Sequence, residues 1–200
     1  MLEPCYRADG WEAGCDEAGR GCIAGPVCAA AVILPRDWDL PGLNDSKKLS
    51  ARKREALRPL IEAQALAYGV AFVSESEIDQ INILNASIRA MHLALDQLER
   101  TPDRVLVDGN RFTAYGSVPH LCFVGGDARF ASIAAASVLA KTHRDSFMAR
   151  LHEEHPEYGW RSNAGYPTRA HRMAVATLGP TRYHRRSFRL LNEQMALNFF

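Results

Sequence analysis

Acidic side chains are missing from a whole stretch of this 200-residue sequence. Between Arg161 and Leu190 there is no Asp or Glu, while Arg161, Arg169, Arg172, Arg182, Arg185, Arg186 and Arg189 all occur there. Paired cysteines are missing too: Cys5, Cys15, Cys22, Cys28 and Cys122 are odd in number and contain no C-x-x-C. That excludes a disulfide framework and a zinc knuckle, and leaves reduced, core-forming thiols. Long apolar runs are absent. The longest uncharged apolar stretch, Cys22 to Pro35, is too short and too rich in Gly, Pro and Ala to span a bilayer, and no basic segment followed by an apolar one opens the chain. A soluble cytoplasmic protein is expected. There is no internal repeat or low-complexity linker, and the 47% apolar fraction suffices for one core, so a single domain over residues 1–200 is expected, with roughly 156–200 as its helical, basic extension.

The net charge of +1 hides an uneven distribution. Besides the arginine-rich stretch, Lys47, Lys48, Arg52, Lys53, Arg54 and Arg58 face only Glu55 as an opposing charge. Acids, in contrast, stand at the ends of apolar runs. Asp16 and Glu17 are adjacent in Gly14-Cys15-Asp16-Glu17-Ala18-Gly19-Arg20-Gly21, Asp108 closes Arg104-Val105-Leu106-Val107, and Asp127 follows Gly125-Gly126. A carboxylate at such a place costs several kcal/mol, roughly, to desolvate unless a cation or donors compensate it. Four of them point to one divalent-metal site. Basic surfaces around an acidic pocket suit a polyanion whose phosphates are gripped at the edges; a solvated helix face with a basic tail is the plainer alternative.

Periodicity gives the order β-β-α-β-α-β-β-α-α, a mixed sheet flanked by helices. The strands end at Asp16, span Val27–Leu34 and Leu66–Val73, carry Asp108, and span Val118–Val124. Helices run from Ser50 as N-cap to about Gln64, from a capping box at Ser74 to Arg100, from Phe130 to about His155, and from Thr168 to Leu178. Strand alternation sends Asp16 and Glu17 to opposite faces unless the chain kinks, which Gly19 and Gly21 would permit.

Competing chemistries fit poorly. Gly19-x-Gly21-x-x-Ala24 imitates a dinucleotide fingerprint, but Gly25-Pro26 and a β-branched run follow it where a helix N-terminus is needed. His152-Glu153-Glu154-His155 spaces its histidines three apart rather than as in H-E-x-x-H. Ser132, Ser137 and His143 form no evident nucleophile and base set. Carboxylate oxygens select Mg²⁺ or Mn²⁺, and three or four can hold two ions roughly 3.5–4 Å apart across a phosphodiester.

These residues, from Gly14 to Val27, resemble the opening motif of ribonuclease HII. Asn44-Asp45-Ser46-Lys47-Lys48-Leu49-Ser50, Val107-Asp108-Gly109, Gly126-Asp127 with Ser132 to Lys141 and Arg144-Asp145, and Gly165-Tyr166-Pro167-Thr168 with His171 resemble its further motifs in order. The resemblance implies a ribonuclease H-like α/β fold and an endonuclease that hydrolyses the RNA strand of RNA–DNA hybrids; a monomer is expected. It also implies cutting at single ribonucleotides embedded in duplex DNA, leaving 5′-phosphate and 3′-hydroxyl ends, with Mn²⁺ or Mg²⁺ as cofactor. It makes Asp16, Glu17, Asp108 and Asp127 the catalytic, metal-binding acids, Gly19-Arg20-Gly21 the sensor of the 2′-hydroxyl, Tyr166 the residue on the neighbouring deoxyribose, and Lys47 and Lys48 phosphate contacts. Cys22 departs from the family's usual proline. A non-catalytic nucleic-acid-binding module on the same fold is the alternative, and the intact acid set disfavours it. At the end of the chain, Gln194, Leu197, Phe199 and Phe200 resemble peptides that dock on a sliding clamp; an amphipathic end folded on the core is the other reading.

Overall fold

The computed structural model describes residues 2–191. The strands are β1 (Glu12–Ala18), β2 (Val27–Ile33), β3 (Ala67–Val73), β4 (Arg104–Asp108) and β5 (His120–Phe123). The helices are α1 (Ala51–Gln64), α2 (Glu75–Leu95), α3 (Ala131–Glu154), the single turn α4 (Trp160–Asn163) and α5 (Arg169–Leu178). Ser50 and Ser74 cap α1 and α2 as the sequence predicts, and Thr168 caps α5, each side chain accepting from the main-chain N–H three residues on.

One sheet holds the strands in the order β3-β2-β1-β4-β5. β1 pairs antiparallel with β2 and β2 with β3, whereas β4 runs parallel to both β1 and β5. The two-residue alternation of β1 and β2 divides the core. Ala13, Cys15, Ala29 and Ala31 face Ala86, Ala90 and Ala94 of α2, while Cys28, Ala30 and Val32 face Ala131, Ala134 and Val138 of α3, with Leu57 and Ile61 of α1 beside them. The alanines let the helices lie close. At Gly14 the approach leaves no room at all, since a Cβ there would stand 2.2 Å from the Ser132 carbonyl carbon of α3.

Several boundaries differ from the sequence reading. α2 ends at Leu95 instead of Arg100. It is also broken at Asn82, which sits at φ 64° and restarts the helix by accepting from the N–H groups of Leu84 and Asn85. β5 begins at His120, because Val118 instead pairs back to Tyr115 in a tight turn. All five cysteines are free, with Cys15, Cys22 and Cys28 buried. Among the described residues no helix is long and apolar enough to cross a membrane. Gln194, Leu197, Phe199 and Phe200 lie outside the described residues.

Candidate active site

Because β1 and β4 are parallel neighbours with Cys15 opposite Val107, their next residues, Asp16 and Asp108, emerge side by side at one edge of the sheet. β5 leaves the same edge into the Gly125–Gly126 turn and delivers Asp127 there. One carboxylate oxygen from each of Asp16, Asp108 and Asp127 lies within 4.8 Å of the others. Asp16 and Asp127 are buried. The main chain supports the cluster: Glu17 N–H donates to Asp16 Oδ1 at 2.7 Å, and Gly126 N–H donates to Asp108 Oδ1 at 2.8 Å.

Glu17 obeys the alternation of the strand. No kink turns it toward the triad; its carboxylate lines the same cavity and pairs with Arg20 Nη1 at 3.1 Å. Beyond it, on the α2 side, lie Leu84, Ser87 and Ile88. The cavity is about 250 Å³ in volume. Asp16, Glu17, Gly19, Arg20, Gly21, Lys47, Asp108 and Tyr166 of the sequence-predicted set line it. Lys48 is exposed and outside that lining.

The electrostatics of the cluster are those of acids short of cations. Burial pushes the Asp16 carboxyl well above the usual carboxylate range, and the charges of Glu17 and Asp108 push it further. Burial likewise raises Glu17 against the pull of Arg20, and raises Asp127 with help from Asp108 and against Lys47. Lys47 Nζ stands 3.4 Å from Asp127 Oδ2. Its own partial burial works against its charge, but Asp127, Asp16 and Asp108 raise its pKa. An all-oxygen donor set with excess negative charge matches the preference of hard divalent cations such as Mg²⁺ and Mn²⁺.

Several residues that support the site are not among the site residues read from the sequence. Ser137, which reads as a polar residue on an alanine-rich helix, sits beside Asp16, where its hydroxyl works against the upward shift of that carboxyl, and lies 2.7 Å from Ser46 Oγ. Arg54 holds the Lys47 loop by donating to the carbonyls of Ser46 and Leu49 at 2.8 and 2.5 Å. Arg185 does not belong to a solvated basic face. It is fully buried beside Arg144, donating to the carbonyls of Gly25 at 2.9 Å and Arg20 at 3.0 Å. Arg144 donates to those of Pro26, Ala164 and Ala24 at 2.9, 2.8 and 3.2 Å. Both guanidiniums thus fasten the Gly19–Gly25 loop, and Arg144 ties it to the segment before Tyr166. Burial and the charge of Arg144 bring the Arg185 guanidinium down to about 10.

Known proteins are similar to this chain over most of its length. The Bacteroides thetaiotaomicron "Ribonuclease HII" is 57% identical over 200 residues, covering 100% of both chains, and that of Christiangramia forsetii is 57% identical over 187 residues, covering 94% of each. The crystal structure of the ribonuclease H2 from Pyrococcus horikoshii superposes with a TM-score of 0.75 at 24% identity, covering 94% of this chain and 98% of that one. The ribonuclease HII in the PCNA complex from Archaeoglobus fulgidus gives 0.71 at 24%, covering 88% and 92%. These two establish the fold as ribonuclease H-like. The family model described as Ribonuclease HII matches residues 13–191, a span that begins in β1 and takes in all three clustered aspartates and Tyr166, and so this chain belongs to the ribonuclease HII family.

Proposed function

We propose that the protein is an endonuclease that hydrolyses the RNA strand of RNA–DNA hybrids and cuts at single ribonucleotides embedded in duplex DNA, leaving 5′-phosphate and 3′-hydroxyl ends. The observation that carries the reading is the meeting of Asp16, Asp108 and Asp127 from three separate elements, all within 4.8 Å, in a chain of this family. Asp16, Glu17 and Asp108, which line the cavity, and Asp127, clustered with Asp16 and Asp108, are the residues that would hold two divalent ions, Mn²⁺ or Mg²⁺. Bound there, such ions would activate a water and offset the charge on the leaving 3′ oxygen. The rest of the work falls to the chain. Lys47 and Arg20 offset the cluster's charge and offer cations to the flanking phosphates, and Lys48, exposed nearby, adds a further phosphate contact. The main chain of Gly19-Arg20-Gly21, held by Arg144 and Arg185, presents its groups to the 2′-hydroxyl, a donor and acceptor that only a ribonucleotide offers. Tyr166, 40% exposed at the cavity, offers a ring face to the adjoining deoxyribose, where an extra hydroxyl would clash.

The whole chain is read as one catalytic domain working as a monomer, with the segment from about residue 156 onward as its basic extension. Docking on a sliding clamp through Gln194, Leu197, Phe199 and Phe200 rests on the pattern of those residues. The Archaeoglobus relative is known in a complex with PCNA. The test is incubation of a duplex carrying one ribonucleotide with the protein in Mg²⁺, Mn²⁺ or EDTA. Cleavage at the ribonucleotide with either metal, and none in EDTA, is expected. Cleavage that survives EDTA, or binding of the duplex without cleavage in either metal, would overturn the reading, the second result in favour of a binding module.

A further inference from the structure

Behind Tyr166 lies a buried chain of polar ring atoms that the chemistry above does not use. His171, in the first turn of α5, and Trp160 are fully buried, and His184 is 1% exposed. Trp160 Nε1 is 3.0 Å from His171 Nε2, and His184 Nε2 is 3.1 Å from the same atom. His171 Nδ1 lies 2.9 Å from the Tyr166 carbonyl oxygen. His184 Nδ1 lies 3.0 Å from the main-chain nitrogen of Thr181.

One assignment of protons fits these contacts, with the lone pair of His171 Nε2 shared between two donors and Thr181 Oγ1 also 3.0 Å from His184 Nδ1. An indole N–H donates and cannot accept, so His171 Nε2 must be bare and its proton must sit on Nδ1, where it donates to the Tyr166 carbonyl. His184 then needs its proton on Nε2 to donate to His171, which leaves its Nδ1 free to accept from Thr181. Both rings are neutral in this arrangement. Burial lowers the pKa of each, consistent with that state. Aromatic rings pack around them, with Tyr158 and Trp160 stacked at 5.3 Å and 20°.

We propose that His171 is a positioning residue for junction cleavage: its Nδ1–H fixes the main chain of Tyr166, and Trp160 and His184 lock the tautomer that makes this bond. The inference rests on the reading of Tyr166 given above and says how that ring is aimed. Thr168 N–H also donates to the Tyr166 carbonyl, at 2.8 Å, and Arg144 holds the Ala164 carbonyl. His171 is the member that couples the aim of the ring to α4, α5 and the Thr181–His184 turn at once.

The experiment compares His171→Gln, His171→Asn and Tyr166→Ala with wild type on a duplex carrying one ribonucleotide, well below every melting midpoint. Single-turnover rate, duplex Kd and urea midpoint are read for each. The Gln carbonyl can still accept from Trp160 and His184 but offers nothing to Tyr166. The Asn amide can still donate to Tyr166 but abandons the other two. Stability and activity should therefore part in opposite directions. His171→Gln keeps its midpoint and loses about 10- to 100-fold in rate, the scale of a misplacement of about 1 Å, with Kd little changed. His171→Asn loses stability but stays within about threefold in rate, the scale of one weakened neutral hydrogen bond. A wild-type rate in His171→Gln beside an impaired Tyr166→Ala, or rates that simply follow stability, overturns the inference alone. A wild-type rate in Tyr166→Ala removes the junction role of Tyr166, and the inference with it. In the unaltered protein, a ¹⁵N spectrum of the imidazoles should show His171 protonated at Nδ1. The Nε2–H tautomer would overturn the proposal whatever the variants do.

Discussion

The buried histidine His184 sets up a pH dependence whose sign and size can be worked out. Its pKa falls from 6.5 to about 4 because burial, then the neighbouring His171, disfavour the imidazolium. The unfolded chain therefore binds a proton that the folded chain refuses between about pH 6.5 and pH 4. Stability must fall as the pH falls through that window, and level off below it. At pH 5 the unfolded ring is mostly protonated and the folded ring mostly neutral, so the contribution is about 1.4 kcal/mol for each of the 1.5 units below 6.5, or about 2 kcal/mol. At pH 7.5 both states are neutral and the term vanishes. The acids work in the other direction: Asp16, Glu17 and Asp127, with raised pKa values, hold protons the unfolded chain has lost, and stabilise the fold as the pH falls. Wild type alone would mix the two trends. The difference in unfolding free energy between wild type and His184→Gln cancels the acids and isolates the ring. Urea titrations followed by tryptophan fluorescence at pH 7.5 and pH 5 should show that difference shrink by about 2 kcal/mol in favour of the variant. A difference constant to within about 0.5 kcal/mol would mean that His184 is not held neutral, and would undo the proton assignment of the whole network.

Asp16→Asn should abolish cleavage of the single-ribonucleotide duplex while raising the metal-free melting stability by about 1 kcal/mol, since it removes a buried charge repelled by its neighbours; a near-normal rate in saturating Mg²⁺ would take Asp16 out of the site. Arg185→Ala should lose about 2–4 kcal/mol in urea melts, because the carbonyls of Gly25 and Arg20 lose their donor. It should leave the salt slope of duplex binding unchanged, and a flatter slope would return Arg185 to the binding surface. Truncation after Glu193 should cost binding to the organism's sliding clamp in a pull-down yet leave cleavage in free solution intact; clamp binding that survives would exclude the terminal peptide as the docking element.

Much of this fold follows from local pattern. The apolar runs of β1, β2 and β4 and the alanine spacing of α3 are visible in the chain, and Asp16, Asp108 and Asp127 are marked by standing where such runs end. Their meeting depends on β1 and β4 being parallel neighbours, which no local pattern states. Glu17 shows the reverse: alternation alone predicts its separate face, and the chain keeps to it. Arg185 was opaque for a physical reason. A guanidinium is expected at a charged surface because its partners are expected to be carboxylates; here they are main-chain carbonyls about 160 residues away, which leave no mark on the sequence. Trp160 and His184 are equally silent, and His171 is marked only by its place after Gly165-Tyr166-Pro167-Thr168. Their contacts join a single turn, a helix start and a loop, and no period connects them.

The same buried arginines decide which glycine can test recognition of the 2′-hydroxyl. Gly19 has φ +96°, and a Cβ there would stand 1.9 Å from Arg144 Nε. Gly19 is thus fixed by the fold before any substrate arrives, and Gly19→Ala must damage stability and cleavage together. Gly21 differs: its φ is ordinary and nothing lies within 4 Å of an added Cβ. The protein alone has no need of glycine at this position, so Gly21→Ala should change stability by no more than about 0.5 kcal/mol. If the main chain at Gly21 comes within contact of the ribose, the added methyl group occupies that space. Cleavage at a single ribonucleotide should then fall about tenfold or more, the scale of a modest misplacement at the reacting bond. The assay is single-turnover cleavage beside a urea melt of the same preparation. A variant that is both stable and fully active would show that the sugar is read from elsewhere in the cavity, while a variant that melts early would show that the space beside Gly21 is not free.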